Sequence, residues 1–263
     1  LLKESYSFSR LKMFGSCKYA YWQNYIEDKD KRPEKEGHGT SDFGNFCHDI
    51  LERYGKGELA EWEMLDYYED HFDENIKNDF VLQMTEDFCR DMRSKYYSDG
   101  YDFFKSFGGF PDFSIISAEK RFDVDCGDFR LNGKIDLTAR DKDGKLIIVD
   151  YKSKSRFKNK AEREDYAKQL YVYAYAAKEL YGEYPARLAF FMFRTNQWVW
   201  FDFDETRMQE TLDWCASVVK EIEAEKEKFG DEPFEPIEET IYGDFNFYEA
   251  NFCPFRSSCK YHH

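Results

Sequence analysis

The sequence predicts a mixed α/β fold in which a helical N-terminal subdomain leads into a core of sheet and helices. Three observations carry this. Apolar residues recur at helical spacing through the first hundred residues. Between Phe113 and Tyr151 the period drops to two and turn residues punctuate it. A helical stretch, two further strands and a long helix then follow.

Taken in order, Ser7 or Ser9 can cap a first helix whose apolar positions include Leu11, Phe14, Tyr21, Tyr25 and Ile26. A charged loop, Glu27 to Gly37, precedes a helix from about Asp42 to Tyr54. Acidic, aromatic helices cover roughly Glu58 to Tyr97, and Gly108, Gly109 and Pro111 end that region. Phe113 to Val124 and Phe129 to Ala139 read as two strands around the Cys126-Gly127-Asp128 turn. After a second turn, Asp141 to Gly144, the run from Lys145 to Tyr151 reads as a strand with a buried centre, Leu146 to Val149. A helix from about Ala161 to Tyr181 comes next, then strands at Ala186 to Arg194 and Gln197 to Phe203. Asp204 caps the final helix, which carries Met208, Leu212, Cys215, Val219 and Ile222. After Gly230 the tail is irregular.

Composition narrows the function classes. Apolar residues make up 42% and aromatic residues 19%, too much core-forming material for a disordered chain. No apolar run approaches the roughly 18 residues a membrane helix needs, and no stretch of signal-peptide length opens the chain, so a cytoplasmic, non-membrane protein is expected. Seven scattered cysteines exclude a fully paired disulfide framework. Cys47, Cys89, Cys126 and Cys215 fall on apolar patterns and read as small core residues. The net charge of −15 argues against a protein that coats DNA through overall positive potential. Any contact with nucleic acid needs a local basic patch. One exists: residues 152–168 hold seven basic and three acidic residues, and Lys152, Lys154, Arg156, Lys158 and Lys160 alternate strictly. If extended, that run presents its cations on one side as a phosphate track; a solvated loop is the competing reading for the residues farthest from Lys152.

Three carboxylates, Glu119, Asp136 and Asp150, fall on or beside the predicted central strands. A carboxylate ending a buried strand is costly unless paired, hydrogen-bonded or bound to metal. Two of them on neighbouring strands can converge on one cation, and an oxygen-rich site of this kind suits Mg²⁺ or Mn²⁺. Lys152 lies two residues after Asp150, on the same face of an extended strand. There it can hold a nucleophilic water and neutralise charge on a phosphate. As a bare tripeptide, Asp150-Tyr151-Lys152 reads more readily as an edge-strand ion pair. His48, four residues after Gly44 on a predicted helix, can supply an imidazole. Gln169 and Tyr173 stand at i and i+4, on one helix face, although Tyr173 also lies among Tyr166, Tyr171 and Tyr175 in what reads equally as a packing stripe.

The ordered set Gly44-x-x-x-His48, Glu119, Gly133-Lys134-Ile135-Asp136, Asp150-Tyr151-Lys152 and Gln169-x-x-x-Tyr173 resembles the RecB-like branch of the PD-(D/E)XK nuclease superfamily. The first helix and the Cys-bearing tail share the resemblance. It implies one nuclease domain spanning 1–263, a restriction-endonuclease-like core with a mixed central sheet flanked by helices. Within it, 56–112 is a divergent helical insertion and 231–263 an irregular tail. It further implies His48, Asp136, Asp150 and the Tyr151 carbonyl as metal ligands and Lys152 as the catalytic lysine. Glu119 is implied as an acidic group acting near the metal through water, and Gln169 and Tyr173 as residues steadying the site and the nucleic-acid backbone. The implied reaction is Mg²⁺- or Mn²⁺-dependent hydrolysis of DNA, by an exonuclease acting on single strands or free ends in repair, recombination or phage DNA processing. A helicase or recombinase is the partner class to expect. The alternatives are a CRISPR-associated RecB-like nuclease that trims spacer precursors and a non-catalytic DNA-binding subunit, which would not need Lys152. Some relatives tie chain ends together with a 4Fe-4S cluster. Cys17, Cys253 and Cys259 match three of its positions, but the fourth is Ala250. Four thiolates are the norm, so the expectation is no cluster or a degenerate site. His262 and His263 read equally as ligands or as a terminal addition.

Overall fold

The computed structural model of the chain describes residues 3–80, 82, 91–236 and 251–261. A six-stranded sheet lies between two helical layers. Its strands are β1 (Ser5–Ser7), β2 (Ser114–Asp125), β3 (Arg130–Arg140), β4 (Leu146–Lys152), β5 (Arg187–Met192) and β6 (Gln197–Asp202). The order is β1-β3-β4-β5-β6, with β2 paired along the other edge of β3. β1–β3 and β4–β5 are parallel and the remaining pairs antiparallel, so the sheet is mixed.

One layer holds α1 (Phe8–Ser16), α2 (Lys18–Tyr25), α6 (Lys160–Tyr181) and α7 (Glu205–Phe229). Their Leu11, Phe14, Tyr21, Leu170, Ala174 and Met208 pack on Leu131, Ile135, Ile148 and Phe190 of the sheet. The opposite layer holds α3 (Gly39–Gly55), α4 (Met64–Asn75) and α5 (Met92–Ser106). Phe43, Phe46, Tyr68 and Phe103 there cover Leu137, Val149, Tyr151 and Phe191. The N-terminal helices are thus divided between the two faces. Each closes two apolar surfaces that would otherwise meet water.

Turn chemistry accounts for the hairpins. Gly127 takes a φ of +88°, with its N–H donating to Asp125 Oδ1 at 2.8 Å. Gly144 takes +77°, beside an Asp141 carboxylate that accepts from the N–H groups of Asp143 and Lys145. Caps fix the helix ends: Ser7 on α1, Asn159 and Gly182 on α6, Asp204 and Gly230 on α7.

Three expectations need correction. The first helix is two helices. Cys17 adopts an extended conformation and serves both, ending α1 with its N–H on Met13 and starting α2 with its sulfur accepting from Ala20 N–H at 3.4 Å. The last helix of the region before the sheet runs past Tyr97 to Ser106. β1 is an additional strand, three residues long. Cys47 and Cys215 are fully buried, as their pattern predicts, and Cys126 is half-buried. Cys89, Ala250, His262 and His263 lie outside the described residues.

Candidate active site

The site forms where β3 changes neighbours. One edge of β3 pairs with β1 at residues 130–132 and with β4 at residues 137–140. Gly133, Lys134, Ile135 and Asp136 lie between, without a ladder partner on that edge among the described residues. Side-chain alternation also reverses here: Ile135 packs in one apolar layer and Leu137, two residues on, in the other. Across β2, between the pairs Ala118–Leu137 and Lys120–Ile135, stands Glu119 with a φ of +50°. A non-glycine residue in the left-handed region costs on the order of 1–2 kcal/mol, and such strain gathers at functional positions.

Asp136 fills the gap. Its Oδ2 accepts from the Tyr151 N–H at 2.7 Å, so a carboxylate takes the place of a missing strand carbonyl. α3 brings His48 from the other side, with Nδ1 3.6 Å from Asp136 Oδ2. The imidazole also engages the Tyr151 backbone. Ligand atoms of His48, Glu119 and Asp136 all lie within 4.8 Å of one another. The glycines of both motifs have packing reasons. A Cβ on Gly44 would sit 3.2 Å from Ser153 Oγ, and one on Gly133 would meet the Phe122 ring at 2.8 Å.

Asp150 and Lys152 point to the α6 side of β4. Lys152 Nζ lies 2.6 Å from Asp150 Oδ2 and donates to Gln169 Oε1 at 2.9 Å. Gln169 Nε2 in turn donates to Tyr173 Oη at 2.7 Å, and the Tyr173 ring packs edge-on against Phe122. The helix pair predicted at i and i+4 is therefore both a packing unit and a relay that fixes the lysine. Asp150, Lys152 and Gln169, with His48, Glu119 and Asp136, line an open cleft of about 1070 Å³.

Electrostatically the site is short of positive charge. Burial pushes the Asp136 carboxyl up to about 7 and that of Asp150 up to about 6, against the opposing pull of Lys152. Burial likewise holds the His48 imidazole below its ordinary value, which keeps a lone pair available. A divalent cation fits this donor set: a neutral ring nitrogen beside crowded carboxylates that burial makes costly to ionise alone. Glu119 belongs to the tightest group, whereas Asp150 is engaged by Lys152.

The basic run differs from its extended reading. β4 ends at Lys152, and residues 153–159 form a loop before α6, because Asn159 caps that helix and starts it at Lys160. The alternation therefore does not continue the strand, and Lys154, Arg156 and Lys158 reach the cleft from a loop. Lys154 is bound to Glu162 at 2.6 Å and lies over the Tyr166 ring, while Arg156 and Lys158 have no ion pair among the described residues; all three line the cleft. Cys17, Cys253 and Cys259 border the layer that holds α1, α2, α6 and α7. Sequence reasoning missed the residues that other elements bring to the cleft. Arg194, after β5, binds Asp99 of α5, stacks at 4.0 Å over Tyr96, and reaches the Ser153 carbonyl. Nothing local in the sequence links these partners. Lys134 carried a usable signal, as the basic residue inside the Gly133–Asp136 motif.

No helix among the described residues is long and apolar enough to cross a membrane. A search of curated proteins finds no match. Among solved structures, the chain is similar to a crystal structure described as a "putative exonuclease" from Eubacterium rectale, with a TM-score of 0.50 and 16% identity over 89% of this chain and 84% of that one. A structure of SSO0001 aligns at a TM-score of 0.32 with 12% identity, covering 97% of this chain and 96% of that one. The family model described as the PD-(D/E)XK nuclease superfamily matches residues 5–260, which take in every strand of the sheet and all the cleft residues named above. The chain belongs to the PD-(D/E)XK nuclease superfamily.

Proposed function

We propose that the protein is a DNA nuclease dependent on Mg²⁺ or Mn²⁺, acting as a RecB-like exonuclease on single strands or free ends. The observation that supports this best is the meeting of His48, Glu119 and Asp136 within 4.8 Å of one another, in the same cleft as the Asp150–Lys152 pair. His48, Asp136, Glu119 and Asp150, with the Tyr151 carbonyl, would hold the ion. When bound, it supplies a Lewis acid that lowers the pKa of water and neutralises phosphate charge.

The chain's own residues do the rest. Asp150 and Gln169 together fix the Lys152 ammonium, which can hold the attacking water in line and neutralise charge developing on the phosphate oxygens. Tyr173 positions Gln169. Arg156 and Lys158 are placed on the cleft wall to take flanking phosphates, where contacts weaken with salt.

The test is cleavage of linear single-stranded, linear duplex and circular single-stranded DNA with Mg²⁺ or Mn²⁺. Linear single strands are expected to be degraded and circles spared. Asp150→Ala and Lys152→Ala should each lower the rate about a hundredfold or more. Full activity in either variant would place the chemistry elsewhere.

A further inference from the structure

Two of the lysines that line the cleft are in unlike states. Lys152 is 16% exposed and engaged by both Asp150 and Gln169. Lys134 is 48% exposed, and its ammonium is ion-paired with Glu119 Oε2. Glu119 is one of the three closest candidate ligands, and its side chain is only 11% exposed. The Lys134 ammonium thus sits on a carboxylate that a metal ion would share. It extends from the stretch of β3 that pairs with β2 on one edge and lies between the β1 and β4 ladders on the other, the residue before Ile135 and two before Asp136.

We infer that Lys134 is a resident counter-ion of the site: it occupies Glu119 while the metal is absent and, once displaced by metal, is released to a phosphate of the bound DNA strand. This rests on the nuclease reading above and deepens it. The charge bookkeeping is consistent. When ionised, as they would be beside a metal ion, Glu119, Asp136 and Asp150 bring three negative charges, and Lys134 and Lys152 return two. An arriving dication makes one of the lysines redundant as internal neutraliser. Lys152 has a second acceptor in Gln169 and stays; Lys134 is half in solvent, with Glu119 as its one ion-pair partner among the described residues. A released ammonium next to the metal is what a strand carrying one charge per nucleotide can use. The device makes metal and DNA binding mutually supportive.

The experiment measures Mn²⁺ affinity without DNA, by calorimetry, and fluorescent single-strand binding in EDTA and in Ca²⁺. The proteins are wild type, Lys134→Met, Glu119→Gln and the double variant. Lys134→Met should bind Mn²⁺ about two- to fivefold more tightly, the range set by the energy of a partly exposed ion pair. Its Ca²⁺-dependent gain in DNA affinity should shrink, and the salt slope in Ca²⁺ should fall by about 0.7, one phosphate contact on a single strand. Glu119→Gln should bind DNA more tightly in EDTA, and Lys134→Met should cancel that gain in the double variant. Lys134→Arg should restore the wild-type coupling. Equal or weaker Mn²⁺ binding by Lys134→Met, beside normal binding by wild type, would overturn this inference alone. So would a Glu119→Gln gain that survives in the double variant. A wild-type protein that binds no Mn²⁺ would overturn the metal-site reading itself, and this inference with it.

Discussion

Replacing Asp136 by Asn should stabilise the metal-free protein. Asp136 is 7% exposed, and its one strong backbone contact, the Tyr151 N–H at 2.7 Å, can be accepted equally by an amide oxygen. Burial lifts its carboxyl from 3.8 to about 7. The folded protein therefore binds this proton more tightly than the unfolded chain. The stability contributed is fully present below about pH 4 and is lost as pH rises through the folded value near 7. Three pKa units at 1.36 kcal/mol each amount to about 4 kcal/mol at pH 8. Relief of Asp150, whose carboxyl is also raised by Asp136, adds to the gain, while water reaching the open cleft trims it. We expect about 2–4 kcal/mol, which for a chain of this size is roughly 4–8 °C in Tm. Melting curves in EDTA from pH 4 to 8 should show a variant-minus-wild-type difference near zero at pH 4 that grows and levels above pH 7. Adding Mn²⁺ at pH 8 should raise the wild-type Tm and leave Asp136→Asn nearly unmoved, narrowing or reversing their order. An Asn variant less stable than wild type at pH 8 in EDTA, or a difference independent of pH, would refute the electrostatic account.

Two further outcomes are expected. Gly133→Ala drives a methyl into the Phe122 ring and should cost about 1–3 kcal/mol in denaturant unfolding; Phe122→Leu in the same chain should recover part of it. Because Phe122 packs on Tyr173, and Tyr173 holds Gln169, the single variant should also lower cleavage rate more than substrate affinity. Arg156→Ala should weaken DNA binding for all sequences alike and reduce the salt slope by about 0.7–0.9, whereas Lys154→Ala should change it less, since Glu162 already neutralises that lysine. Equal slopes for the two variants would mean that the Glu162 contact opens when DNA binds.

Much of this architecture was legible because local chemistry and tertiary demand agree. The β2–β3–β4 meander is punctuated by Gly127 and Gly144, which sit at positive φ, and α6 and α7 carry their own caps. The ordered polar motifs pointed to His48, Glu119, Asp136 and Asp150, which meet in a single cleft. What was hidden depends on distant partners. Ser5–Ser7 is a strand only because Arg130–Asn132 offers it an edge. Cys17 breaks a helical pattern whose apolar period continues straight through it. The left-handed turn at Glu119 has no glycine to announce it, and the face reversal between Ile135 and Leu137 looks like ordinary alternation in one dimension. The Lys154–Lys158 alternation misled because period two alone does not make a strand without a ladder partner.

The three-residue β1 closes the stretch of β3 just upstream of the carboxylates. Deleting the strand Ser5–Ser7 would uncover an edge with open N–H and C=O groups one step from the cleft. A chain lacking this strand should tend to self-associate by strand exchange, which would loosen the pocket beside it.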